Sequence, residues 1–479
     1  MRSAGQASCP LCETGSRGAA LKPNSPMTAV APAFSLDADG AKVRVTWLRL
    51  MAVKSASLVL GCADQAIVSL SSFATLVMIG RWTDPGQLGA YAVGFSVLAL
   101  ALAVQEALVS RPYTIHLHRP LGTTAEHAFN ALALSLLLGA LSTLVVGAVA
   151  LLLSLLHTDR SLVDIVWALA GAIPFVLLRE FARRFAFANL NVSMALKIDA
   201  AAALFMVVAI GALGWAGELS AARAIVAIGA ACGLATLGWL YLAKARFAWS
   251  VRKLVPALRR SWSIGKWFLS GQLAVQAQGY MVPWLALVLA GAAVTGVYAA
   301  CASVVAFANP FIYGISNVLT PKYVDTLKAN DVRTLRRRVV CDALLLAAAM
   351  AVFCVLVLVF GDWVMRLLFR DAEYASHSDI LGILSVAVLV AVVGIPASLA
   401  LAAAEYARAH AAIKATGAML TVLLVSALLP WWGILGASYG ILIVEAIVSI
   451  GQWMAFLLLV RQTNTAGLQA TAPGAASAT

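Results

Sequence analysis

Two carboxylates stand inside apolar stretches of this 479-residue chain: Asp64, in a run from 56 to 80, and Glu445, in a run from 434 to 460. A charge at the centre of a membrane-embedded helix costs about 2.5–3.5 kcal/mol on insertion scales. Each is read either as a cavity-facing carboxylate able to couple to an ion, or as a protonated, hydrogen-bonded packing residue. Beside Asp64 runs a polar stripe: Gln65, Ser69 and Ser72 fall at i, i+4 and i+7, one face of a helix. Other charges gather near the ends of apolar runs: Glu106 with Arg111, Asp199 after Lys197, and Arg179, Glu180, Arg183 and Arg184. These read as interfacial side chains whose charged heads reach back to water. No catalytic constellation accompanies them. The chain has no GxSxG, Walker or HExxH motif. His116 and His118 lack a carboxylate to complete a metal site, and Cys9-x-x-Cys12 lacks a second pair. The reading is therefore a non-enzyme with no metal and no cofactor.

The elements that carry these residues follow from composition. The chain is 62% apolar and 11% charged, with mean hydropathy +0.91. Soluble domains run at about 45–50% apolar and about 25% charged, which excludes a soluble or disordered class and leaves an all-α membrane protein. Runs of about 20 apolar residues rather than alternating segments of about 10 exclude a β-barrel. Twelve spans are expected, near 56–80, 88–110, 128–156, 162–179, 199–217, 222–243, 267–290, 293–317, 339–360, 379–402, 413–430 and 434–460. With the N-terminus inside, 29 of the 34 Lys and Arg fall on the inner side and 5 on the outer, which places both termini on the cytoplasmic side. The net charge of +13 is thus a topology signal and not a nucleic-acid footprint. Residues 1–45 and 462–479 read as disordered cytoplasmic tails, with Met27 an alternative start to Met1.

The halves repeat. At an offset of 207, Gly89-Ala90-Tyr91-Ala92 meets Gly296-Val297-Tyr298-Ala299, and Ser96-Val97 meets Ser303-Val304. With two residues inserted, Pro112-Tyr113 meets Pro321-Lys322-Tyr323, and at 225, Glu180-Phe181-Ala182-Arg183 meets Glu405-Tyr406-Ala407-Arg408. The organisation read from this is an N-terminal six-helix lobe (46–243), a basic cytoplasmic linker (244–266) and a C-terminal six-helix lobe (267–461). Six spans is an even number, so the repeat is parallel. The same offset sends the stripe of the first span to Gln272, Gln276 and Gly279 in the seventh. Two readings stay open: the first and seventh helices face each other across a wet cavity, or small and polar residues merely join neighbouring helices.

Arg81-Trp82-Thr83-Asp84-Pro85 followed by Gly89-x-Tyr91-Ala92 resembles the first outer loop and second helix of bacterial polysaccharide flippases. These are the Wzx-type members of the multidrug/oligosaccharidyl-lipid/polysaccharide exporter superfamily. Gly296-Val297-Tyr298-Ala299 with Pro321 is similar to that family's eighth helix. Leu367-Leu368-Phe369 with Tyr374-Ala375 and Ile380-Leu381 resembles its outer segment before the tenth, with Arg370 where Gly is common. The resemblance implies two lobes around a central cavity that moves an undecaprenyl-diphosphate-linked oligosaccharide between leaflets. It implies hydrogen bonds to the sugar from residues such as Gln65, Ser69, Gln272 and Gln276, and attraction of the diphosphate by Arg111, Arg179 and Arg183. Membrane lipids, a polysaccharide polymerase and a chain-length regulator would be partners. Two alternatives are a proton- or sodium-coupled multidrug antiporter of the same superfamily, using Asp64 or Glu445, and a membrane scaffold for glycan assembly.

Overall fold

The computed structural model describes residues 39–470, apart from 119, 121, 158–159, 329–331, 370–373, 375–376 and 405. The chain divides after residue 56, and the unit from 57 onward is the subject below. Cys9, Cys12, Met27, Arg370, Ala375 and Glu405 lie outside the described residues. Among the described residues all regular structure is helical.

Ten helices are long and apolar enough to cross a membrane, and one bent pair passes the same test jointly. One of the ten, Ala409–Gln462, is two spans. Gly433 takes φ +58°, a conformation open to glycine without strain, and breaks the helix there. The Tyr406 hydroxyl donates to Gln462 Oε1 at 3.0 Å, whereas a straight helix would hold these residues about 84 Å apart. The chain therefore doubles back, and the twelve spans correspond one for one to the twelve apolar runs. They are named α1 (Asp39–Trp82), α2 (Pro85–His116), α3 (Thr124–Leu155), α4 (Arg160–Ala188), α5 (Val192–Trp215), α6 (Ala221–Ala243), α7 (Leu254–Ala290), α8 (Ala292–Leu327), α9 (Val332–Leu368), α10 (Ser378–Ala403), α11 (407–432) and α12 (434–470).

Helix starts follow local chemistry. Asp84 Oδ1 accepts the Gln87 amide at 3.0 Å ahead of Pro85 in the first turn of α2. Thr123 and Glu126 form a reciprocal capping box on α3, with amide contacts of 2.8 and 3.2 Å. The expected tails and linker differ in three places. Residues 39–45 and 462–470, read as tails, are helical, and 254–266, read as linker, form the first turns of α7. In the last case Pro256 sits in the first helical turn, where its missing N–H costs nothing.

The face carrying loops 117–123, 189–191, 244–253 and 404–406 is called the basic face here. At the opposite face the lobes share one core, which takes Ile79, Leu88 and Ile225 from the first lobe and Val297, Met365 and Leu381 from the second. At the basic face each lobe has its own. One holds Tyr113, Leu132, Phe185 and Trp239, and the other holds Leu319, Tyr323, Leu335 and Phe456. The junction is a backbone crossing of α2 and α8. A Cβ built on Gly89 would collide with the Ala292 carbonyl and stand 2.7 Å from the Gly296 nitrogen. One built on Gly296 would collide with the Pro85 carbonyl and stand 3.0 Å from the Gly89 nitrogen. Residues 85 and 292 differ by 207, the repeat offset, so the contact is reciprocal under the repeat. Arg81 Nη1 donates to the Leu367 carbonyl at 3.1 Å and adds a second tie at this face.

Gly89→Leu forces the two helices apart and should destabilise the protein by about 1–3 kcal/mol, the range for overpacking a tight site. Thermal unfolding in detergent reads this directly, and an unchanged melting temperature would refute the crossing.

Candidate functional site

Between the lobes lies a cavity of about 400 Å³. Its walls come from α1, α2, α4, α5 and α6 of the first lobe and from α7 of the second. Tyr91, Phe95, Met206 and Tyr280 give it aromatic and apolar surface, while Ser72, Gln272 and Gln276 supply polar groups. Helices α1 and α7 both line the space, which agrees with the wet-cavity reading of the repeated stripe. Gln272 and Gln276 line it. Gln65 and Ser69 do not; they sit on the basic-face side, where Gln65 Nε2 donates to Ser69 Oγ at 3.4 Å.

Near its basic end the cavity meets a layer of ion pairs. Arg179 and Arg183 are four residues apart on α4, hence on one face, and Glu180 and Arg184 make the same step on the next. Arg179 holds Asp199 of α5 through Nε at 2.9 Å and Nη2 at 2.6 Å. Arg183 reaches Asp199 Oδ2 at 2.7 Å, Asp64 Oδ2 of α1 at 3.0 Å and Glu180 at 3.7 Å. Arg184 pairs with Glu180 at 2.6 Å and with Glu106 of α2 at 3.3 Å, and Arg111 pairs with Glu106 at 3.1 Å. Four guanidinium groups meet four carboxylates, so the layer is neutral. Counted along the helices, its four carboxylates lie about 24–32 Å from their opposite-face ends, close to the thickness of a hydrocarbon core.

Glu106, Asp199 and the 179–184 cluster thus stand at interfacial depth, as expected, but pair with one another instead of reaching back to water. The Asp64 and Asp199 side chains are 1% and 0% exposed. The reason is that α4 does not end at 179 but runs to Ala188, carrying its arginines past α1, α2 and α5. The candidate diphosphate groups separate accordingly. Arg179 and Arg183 line the cavity but are held by carboxylates. Arg111 is not part of the wall. It lies just past a π-helical turn of α2 (Glu106–Ser110), stacked over Phe268 of α7 at 4.9 Å. The ion-coupling candidates separate too. Asp64 is locked to Arg183. Glu445, half-buried on α12 of the second lobe, has no hydrogen-bond or ion-pair partner among the described residues, with Lys414 the charge that bears on it. No cluster of three metal-ligating side chains occurs among the described residues.

No family model matches the chain, and no curated protein matches it. Solved structures do. A multidrug resistance MATE family transporter of the MOP superfamily in an inward-facing conformation superposes with TM-score 0.69 at 15% identity, over 85% of this chain and 99% of that one. A MATE family transporter in an outward-facing conformation gives 0.59 at 14% identity, over 86% and 96%. A MOP superfamily transporter from Pyrococcus furiosus, described by the reversed polarity of its binding pocket, gives 0.59 at 15% identity over the same shares. The fold is therefore that of the MOP superfamily transporters: twelve helices in two six-helix lobes.

Arg183→Ala leaves Asp64 and Asp199 without their shared counter-charge, a change that costs about 3–5 kcal/mol for buried pairs. Adding Asp64→Asn should recover part of that stability. If thermal unfolding shows no recovery, Arg183 and Asp64 are not electrostatically coupled.

Proposed function

We propose that the chain is a secondary transporter working by alternating access, an exporter that loads an amphipathic organic solute from the cytoplasm and exchanges it for protons or sodium ions. The observation that carries this is the split of the core: shared at the opposite face, divided at the basic face, with the cavity between. In this reading the basic face is cytoplasmic by the Lys and Arg bias, and the geometry described is the inward-facing state. The higher TM-score with the inward-facing transporter supports it. The cavity mixes aromatic surface with a charge layer that cancels internally, which suits an amphiphile better than a small hard ion. Glu445 carries the coupling ion, because a carboxylate free of arginine is the one that can gain and lose a proton. A pure scaffold would leave the cavity without a purpose.

A second reading keeps the fold and changes the cargo to undecaprenyl-diphosphate-linked oligosaccharide, flipped across a bacterial inner membrane with polymerase and chain-length regulator as partners. It is favoured by Arg111 and Arg184, whose side chains are 41% and 42% exposed at the basic end, where a diphosphate would arrive.

A clean deletion strain separates the two. Export of amphiphiles predicts changed drug tolerance with normal polysaccharide. Flipping predicts lipid-linked repeat units accumulating on the cytoplasmic side, detected by mass spectrometry, with polymer lost. In proteoliposomes, Glu445→Gln should abolish gradient-driven transport while cargo binding persists. Undiminished transport by the Asp64→Asn, Glu445→Gln double variant would remove carboxylate coupling altogether.

A further inference from the structure

The segment between the lobes carries seven Lys and Arg from 244 to 266 and no Asp or Glu. Lys253 is committed to Glu126 at 2.8 Å. Lys244, Arg246, Arg252, Arg259 and Lys266 are exposed and make no ion pair among the described residues. Interleaved with them are largely exposed aromatic rings: Tyr241 is 69% exposed, Trp249 80% although one face meets Phe129, Trp262 52% and Trp267 74%. Two of the cations rest on these rings, Lys244 over Tyr241 at 4.5 Å and Lys266 over Trp267 at 5.4 Å. At the start of α7, Val255, Leu258, Arg259, Trp262 and Lys266 fall within one stripe of the helix, all of them exposed. The helix is buried opposite the stripe at Ala257 and beside it at Gly265, which abuts Ala107 and Leu108 of α2. Further along α7, Gln272 and Gln276 line the cavity, so the stripe is a separate surface.

We propose that this segment is a binding surface for anionic phospholipid headgroups of the leaflet beside it. The chemistry is specific in kind. Unpaired cations attract phosphate, Trp and Tyr sit at headgroup depth, and the apolar members of the stripe enter the acyl boundary. The helix start at 332–338 is a useful contrast. It carries Arg333, Arg336, Arg337 and Arg338 without an aromatic residue, so it shares the charge and lacks the rings. The surface holds lipid whatever cargo crosses the cavity.

The test uses the full chain, reconstituted in vesicles of phosphatidylcholine with phosphatidylglycerol and then extracted. Co-extracted lipid is measured by native mass spectrometry. The wild-type protein is expected to retain phosphatidylglycerol in preference to phosphatidylcholine and to release it at high salt. Lys244→Gln, Arg259→Gln and Lys266→Gln combined should lower that retention about tenfold or more, with an unchanged melting temperature in neutral detergent. The Arg333→Gln, Arg336→Gln, Arg337→Gln triple variant, with the same charge removed, should retain lipid nearly as the wild type does. Equal losses in both variants would reduce the effect to general surface charge and overturn the proposal. Competition by free inorganic phosphate would identify a soluble anion as the ligand and overturn the lipid assignment. Should the first variant fail to fold, the wild type decides alone: no preference for phosphatidylglycerol ends the idea.

Discussion

The contact on which the architecture depends is the crossing of two backbones at Gly89 and Gly296. Side chains cannot intervene there, because a single Cβ on either residue meets a carbonyl of the other helix. That proximity draws the opposite-face ends of α2 and α8 together and lets the residues around them merge into one core. At the basic face the two cores stay separate, and among the described residues the first turns of α7 approach α2 closely, at Gly265 beside Ala107. The two lobes thus share a core at one end and keep separate cores at the other, and the cavity lies between them. Hydrophobic association is a weak guide between helices that lipid solvates equally well, so close packing of small residues takes its place.

The charge layer solves a different problem. Arginines and carboxylates at this depth are expensive singly, and they become tolerable only by mutual neutralisation with good geometry. Arg183 does this for two other helices at once and so fixes the basic ends of α1, α4 and α5 relative to each other. Such a layer adds specificity of arrangement more than stability. It also leaves the first lobe without a free carboxylate in the set, and this distinguishes Asp64 from Glu445 although both looked alike as isolated charges.

Much of the fold was legible because the bilayer imposes length. Twelve apolar runs became twelve spans, and the offset of 207 reappeared as the reciprocal contact of Gly89 with Ala292 and of Gly296 with Pro85. Span ends were less legible. A hydropathy reading stops at the first charges, so α4 was ended at 179 although paired charges let it continue to 188. The partners themselves were not legible, since Arg183 and Asp64 are 119 residues apart and no local rule links them. Along the repeated stripe, Gln272 and Gln276 line the cavity, whereas Gln65 and Ser69 lie beyond its wall, a difference that periodicity alone does not encode.

The repeat-related helices α2 and α8 are interrupted in opposite senses. One contains a wide π turn at Glu106–Ser110, the other a tight 3₁₀ turn at Ala306–Ala308. A widened turn shortens a helix for its residue count and a tightened one lengthens it. The two copies therefore differ in stride, and the one with the wide turn supplies Glu106 and Arg111 to the charge layer. The halves carry different burdens: the first is tied together by ion pairs, while the second holds Glu445 without one among the described residues. Matching substitutions in the two halves thus meet unequal constraints, so the internal symmetry visible in the backbone is a poor guide to tolerance for sequence change.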